Sequence, residues 1–185
     1  MSRMLSVLLL AAGSLAAEEI ALRIDPAKTS VQFKLGATLH SVRGTFQVKR
    51  GEIRFDEATG AASGEVVIDA ASGQSGNSDR DRDMHSKVLE SARFPEIIFR
   101  PNRIAGSIAA QGVTRVTTTG VVSIHGADHE ITVPLQVEIS GGQYTASGSF
   151  SVPYVKWGMK NPSKTLLRVG ENVEITIRGV AGRIR

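Results

Sequence analysis

Residues 130–139, EITVPLQVEI, set Ile131, Val133, Leu135, Val137 and Ile139 against Glu130, Thr132, Gln136 and Glu138. A period of two sends successive side chains to opposite faces of a strand. One face is then buried and the other wet, as in antiparallel sheets. The pattern recurs. In SVQFKLG, Val31, Phe33 and Leu35 oppose Gln32 and Lys34, and near the C-terminus Val173, Ile175 and Ile177 alternate with Glu174, Thr176 and Arg178. Further strand candidates are residues 44–50, 52–56, 64–70, 96–104, 113–125 and 143–152. The segments DEATGAASG, SIAAQG, HGADH and SGGQ between them carry turn residues, and most are short enough for hairpins. Many half-apolar strands on short connections predict an all-β meander that curls into a barrel or sandwich. Pro134 takes an outward position of its strand, which predicts an edge or a bulge there.

The N-terminal segment has a different character. Arg3 precedes the uncharged apolar run Leu5–Ala16, and the small residues of SLA or LAA stand before Glu18 and Glu19. The run is short for a bilayer span, and the order charge, apolar core, small residues is that of a secretory signal. Residues 1–17 are therefore expected to be a signal peptide, and residues 18–185 one exported domain, periplasmic or secreted. No cysteine follows the apolar run, so an acceptor for a lipoprotein anchor is missing, and the chain has no cysteine elsewhere. The formal charge is +4, with Lys and Arg interspersed among Asp and Glu. That distribution argues against nucleic acid as a partner and supplies no polybasic cluster for lipid headgroups.

One stretch breaks the strand pattern: SDRDRDMHSKVLESARFPEIIF, residues 78–99. It predicts one short helix at about 79–91, with Ser78 as N-cap and Asp81 as its capping-box partner. Asp79, Asp81 and Asp83 favour the first turns through the helix dipole. Met84 with Val88, and His85 with Leu89, are four apart, and Lys87 follows Asp83 at the favourable spacing. Such a helix is too short to stand alone, so its apolar stripe needs a surface to cover. Phe94-Pro95 is expected to end it.

Catalytic and metal chemistry find little support. SGQSGNS holds Gly73 and Ser75 but lacks the second glycine of a nucleophile elbow, and reads as a loop. His85 and Asp81 read as a solvated contact on an exposed helix face. His125 and His129 flank GAD, a hairpin turn, so their spacing of four loses its helical meaning, and His40 would have to join them from elsewhere. No phosphate-cradling glycine loop or dinucleotide fingerprint occurs. The expectation is a protein without enzymatic activity, cofactor or metal. On the strand QYTASGSFSV, Tyr144, Ala146, Gly148, Phe150 and Val152 share one face. Its small residues either leave room for an apolar ligand or are filled by facing side chains. The pattern supports both readings equally.

In order along the chain, TSVQFKLGATLHSVRGTFQVKRGEIRFD, RDMHSKVLESARFPEIIF, VVSIHGADHEITVPLQVE and VPYVKWGMKNP followed by VGENVEITI resemble the segments of the YceI-like family. Arg82, Asp83 and His85 match its helix motif, Gly44 and Phe46 its Gly-Thr-Phe, and His125 and Gly126 its turn. The loop SGQSGNS is richer in glycine than is typical, and Trp157 stands where the family commonly has Phe. The resemblance implies an extended lipocalin-like antiparallel barrel around a polyisoprenoid lipid or quinone. It tips the question of the small residues toward a cavity. The ligand wall is then expected from Phe33, Leu35, Val66, Ile68, Met84, Leu89, Phe94, Phe99, Val133, Leu135, Tyr144, Gly148, Phe150 and Trp157. Trp157 is placed at a barrel end, since Gly158 and Pro162 mark a turn region. The competing expectation is a stress-response envelope protein whose packed barrel acts through protein contacts. An exported lipid hydrolase is more distant. A transient membrane contact and a homodimer are left open.

Overall fold

The computed structural model describes residues 19–38, 40–163 and 168–184. The expected signal peptide, residues 1–17, lies outside the described residues. Among the described residues nine antiparallel strands follow one another: β1 (Glu19–Ile24), β2 (Ser30–Ala37), β3 (Val42–Asp56), β4 (Ala62–Gln74), β5 (Glu96–Ala105), β6 (Gly112–Ile124), β7 (Ala127–Ser140), β8 (Gln143–Val152) and β9 (Val169–Arg183). The order β3-β2-β9-β8-β7-β6-β5-β4 returns to β3 through the β3–β4 pairing, so eight strand positions close a barrel. Closure removes the two terminal edges that an open sheet would present.

β1 and β2 share one of those positions. β1 pairs with the end of β3, Glu19 opposite Asp56, and β2 with its start, Val31 opposite Phe46. The break between them is a 3-10 turn, Pro26–Lys28, capped by the Asp25 carboxylate, which accepts from Ala27 N at 3.1 Å. The turn is stitched to β9: Asp25 N donates to the Val180 carbonyl at 2.8 Å, and Val180 N donates to Thr29 Oγ1 at 3.1 Å. β1 directly follows the apolar N-terminal run, which hides its alternation in the sequence.

Residues 44–50 and 52–56 form one strand, β3, running through Gly51. Register shifts against β4, between Thr45 and Gln47 and between Val48 and Arg50, bend it instead. The β6–β7 turn is His125–Gly126, with φ of 52° and 78°, and the β7–β8 turn is Gly141–Gly142, with 57° and 79°. Two left-handed residues in a row make the turn twist that antiparallel hairpins favour. His125 is thus in the turn itself and His129 lies within β7, so the two do not flank it. Pro134 faces outward where the β7–β8 ladder stops: pairing runs from Ser140–Gln143 to Gln136–Ser147 and no further. Proline has no N–H for a ladder, and the edge-like position read from the sequence fits this interruption.

Strand ends at Ala37, Val42, Gln74, Glu96, Ile124, Val152 and Val169 gather at one end of the barrel, and the helical segment lies there. α1 (Ser78–Asp83) passes into a π-helical turn, Met84–Val88. Its N-cap is Asn77, whose Oδ1 accepts from Arg80 N at 3.0 Å, and not Ser78. Asparagine caps as well as serine does, and Asp81 is engaged elsewhere, accepting from Ser75 N at 2.9 Å and from Ser75 Oγ. The helix also stops short of Phe94-Pro95. Glu90 takes a left-handed conformation, φ 46°, which ends the segment at Leu89 and turns the chain.

Candidate functional site

Alternation carries one side chain in two to the barrel axis, and there they do not fill the space. A cavity of about 610 Å³ runs through the interior, within the range of small-molecule pockets. β2 contributes Phe33 and Leu35, β4 Val66 and Ile68, β5 Phe99, β7 Val133 and Leu135, and β8 Tyr144 and Phe150. Met84 and Leu89 face the cavity from the helical segment, and Trp157 from the β8–β9 connection. The ends are packed. Val88, Leu89, Val152, Tyr154 and Met159 form a buried cluster at the helical end, and Val116, Val137 and Ile139 one at the other.

Two residues expected in the wall are elsewhere. Phe94 does not line the cavity: its ring packs on His125, centroids 5.0 Å apart, with the Arg93 guanidinium 4.9 Å from it. The left-handed Glu90 turns the chain toward the β6–β7 hairpin before Phe94 is reached. Gly148 leaves no gap either. A Cβ there would run into the Pro134 carbonyl oxygen and lie 2.8 Å from Leu135 Cδ2, so the glycine lets two strands approach.

The helical segment is fastened as a cover. His85 is half-buried, and not a solvated partner of Asp81: its Nε2 is 2.8 Å from the Gly73 carbonyl of β4 and its Nδ1 3.1 Å from Ser91 Oγ. Glu90 meets His125 Nε2 at 3.5 Å, a second tie, to the β6–β7 turn. Arg82 pairs with Asp79 at 3.0 Å and Asp83 with Lys87 at 2.6 Å. The Ser75 hydroxyl donates to Asp81 and accepts from Arg80 Nε at 2.7 Å. His40, Ser75, Asp79, Arg80 and Asp83 form a polar rim, while the rest of the lining is apolar apart from Thr29, Thr118 and the polar tips of Tyr144, Tyr154 and Trp157. His129 stacks on Trp157, centroids 4.3 Å apart and planes within 2°, so the histidines serve separate contacts. Among the described residues no group of three His, Cys, Asp or Glu side chains is placed to hold a metal.

The sequence pattern overlooked part of the lining. Phe46 and Ile175 alternate as the counted residues do and could have been added. Tyr154 and Met159 could not, since they sit in an aperiodic connection. The Tyr154 hydroxyl donates to the Gly170 carbonyl at 2.8 Å, and burial, helped by the Glu171 charge, pushes its pKa above the usual phenol value.

The YceI-like domain family matches residues 22–181, which takes in β2 to β8, the cover and nearly all of β9. The chain belongs to the YceI-like family. Solved structures share this YceI-like barrel. BcnA of Burkholderia cenocepacia superposes with a TM-score of 0.71 at 23% identity, covering 85% of this chain and 98% of its own. A polyisoprenoid binding domain from Saccharophagus degradans, implicated in plant cell wall breakdown, gives 0.70 at 16% identity, covering 89% and 99%. The Campylobacter jejuni YCEI protein gives 0.57 at 13% identity, covering 100% and 92%. No curated protein matches the sequence. In this YceI-like chain, the Asp83 and His85 of the helix motif act on the cover: one pairs with Lys87, the other ties the cover to β4.

Proposed function

We propose that this YceI-like protein binds, stores or transports one apolar polyisoprenoid lipid or isoprenoid quinone in the cell envelope, periplasmic or secreted. It does so without catalysing a reaction and without a cofactor. The observation that carries the reading is the cavity of about 610 Å³ with apolar walls and a polar rim at one end. Removing apolar surface from water yields roughly 25 cal/mol per Å², so an apolar tunnel suffices for affinity and no reactive group is needed. The polar rim suits a chain that ends in a hydrogen-bonding head. The polyisoprenoid-binding description of the Saccharophagus domain supports the same ligand class.

Native mass spectrometry of protein purified from its own host tests the reading. An apolar adduct, or saturable uptake of a prenol at about one per chain, is expected. A clean apo mass with no uptake on titration would instead favour the packed barrel that acts through protein contacts. Turnover of a lipid ester that survives replacement of Ser75, His85 and His125 would place the protein among hydrolases.

A further inference from the structure

The mixture of charges read along the sequence, which suggested no basic cluster, has one exception: no acidic residue lies between Glu138 and Glu171, and in that interval Lys156, Lys160, Lys164 and Arg168 recur every fourth position. Elsewhere Lys49, Arg50, Arg54 and Arg100 pair with carboxylates on the outer wall. Cations there without an ion pair among the described residues, such as Arg103 on β5 and Arg115 on β6, stand on strands that also carry or adjoin acidic residues. Lys156, Lys160 and Arg168 are exposed and make no ion pair among the described residues. Lys164 lies outside the described residues. Lys156 and Lys160 belong to residues 153–163, the described part of the β8–β9 connection, whose inner side closes the cavity. Tyr154 and Met159 are 4% and 3% exposed and line the interior. Trp157 lines it too, half-buried, with its ring against His129 of β7. The stack reaches across the stretch where the β7–β8 ladder has ended, beyond Gln136–Ser147. One segment thus carries the lid of the cavity inside and unmatched positive charge outside.

We propose that residues 153–163 of the β8–β9 connection are a docking surface for an anionic phospholipid bilayer, which brings the lid of the cavity to the membrane surface. The proposal rests on the reading of an apolar lipid ligand, because such a ligand resides in bilayers. Charge complementarity selects the partner: basic side chains near an anionic leaflet each strengthen binding by about five-fold, and salt screens the effect. A half-buried tryptophan among lysines suits the headgroup region, where the indole can rest partly in acyl chains.

Co-sedimentation with phosphatidylcholine vesicles, with and without phosphatidylglycerol, tests the proposal. Binding is expected only with phosphatidylglycerol, weakening as salt rises, with a blue shift of Trp157 emission. Lys156→Glu with Lys160→Glu should weaken it by at least about tenfold, given two charges reversed. Arg103→Glu with Arg115→Glu, exposed positions away from this end with the same change in charge, should leave it within about twofold. Vesicle binding that ignores phosphatidylglycerol, or that falls equally in both double variants, overturns the proposal. So does an absence of vesicle binding, the result expected if the segment serves an acidic protein. Uptake of a prenol delivered from solvent separates the two readings. Docking on anionic vesicles without prenol uptake would sustain the surface and overturn the carrier. Prenol uptake without vesicle docking would do the reverse.

Discussion

A Cβ at position 148 would collide with the Pro134 carbonyl oxygen and crowd Leu135 Cδ2 at 2.8 Å. The nearest neighbour is backbone, which cannot turn aside as a side chain can. Gly148→Ala is therefore expected to cost about 1–3 kcal/mol, read from urea unfolding, while the folded fraction still takes up prenol. Loss of uptake with unchanged stability would instead mean that the position opens on the ligand path. Tyr154 makes a different kind of contribution. Its pKa is raised in the folded protein by burial and then by Glu171. The neutral phenol is thus favoured by folding: this stabilisation is complete below the unfolded value of about 10 and is lost as pH rises through the higher folded value. Tyr154→Phe should cost about 0.5–1.5 kcal/mol at neutral pH, through the lost bond to Gly170. It should also flatten the alkaline loss of stability, seen by comparing urea midpoints near pH 8 and pH 11. An alkaline slope that persists unchanged would assign it to other groups. Trp157 supplies an optical readout at the same scale. It is the single tryptophan and lines the cavity, so a bound quinone ring should quench it saturably, whereas a prenyl alcohol should only shift its emission. Unchanged emission with either ligand bound would place the head group at the other end.

The elements divide into those a period of two reveals and those it conceals. Strands β2, β6, β7, β8 and β9 follow from alternation, because one buried face imposes apolar residues at every second position. The same rule placed Phe33, Leu135 and Phe150 toward the axis, where they lie. It failed at Gly148, whose parity is correct but whose role is strand approach, a matter of tertiary distance that alternation does not encode. It also missed Tyr154 and Met159, which reach the cavity from a connection without periodicity. The cover was legible as a helix, yet its limits depend on local competition. Asn77 captures the cap because Asp81 is taken by Ser75, and left-handed Glu90 ends the segment before Phe94. Holding this cover falls to His85, which binds Gly73 of β4 at 2.8 Å and Ser91 at 3.1 Å. His85→Ala leaves the part-buried Gly73 carbonyl without that partner and should cost about 1–3 kcal/mol. Amide exchange should then quicken across residues 84–91 while β6 and β7 keep their protection, since local opening needs less free energy than global unfolding. Uniform acceleration through the barrel would show that His85 supports the whole fold and not the cover alone.

At the scale of the whole molecule, a closed barrel with an unfilled interior gives up stability that a packed one would keep. Buried walls facing a void lose dispersion contacts on one side, and a cavity of about 610 Å³ is large by that measure. The two packed ends, Val88 with Tyr154 and Met159, and Val116 with Val137 and Ile139, hold the shape so that the middle can stay open. A guest that fits the middle restores those contacts only in the folded state, so binding and stability are linked by mass action. With free prenol at a hundred times its Kd, the folded state should gain about 2.7 kcal/mol. For a domain of this size a gain of 1 kcal/mol moves the midpoint by roughly 2–4 °C, so the shift should reach several degrees. It should also keep rising with ligand concentration after the site is saturated. That continued rise separates specific occupancy from detergent-like adsorption, which would bind the unfolded chain as well and lower the midpoint. A chain whose interior is filled by its own side chains has no such linkage. A thermal midpoint indifferent to prenol and to quinone across this concentration range would therefore remove the carrier reading, whatever the shape of the cavity.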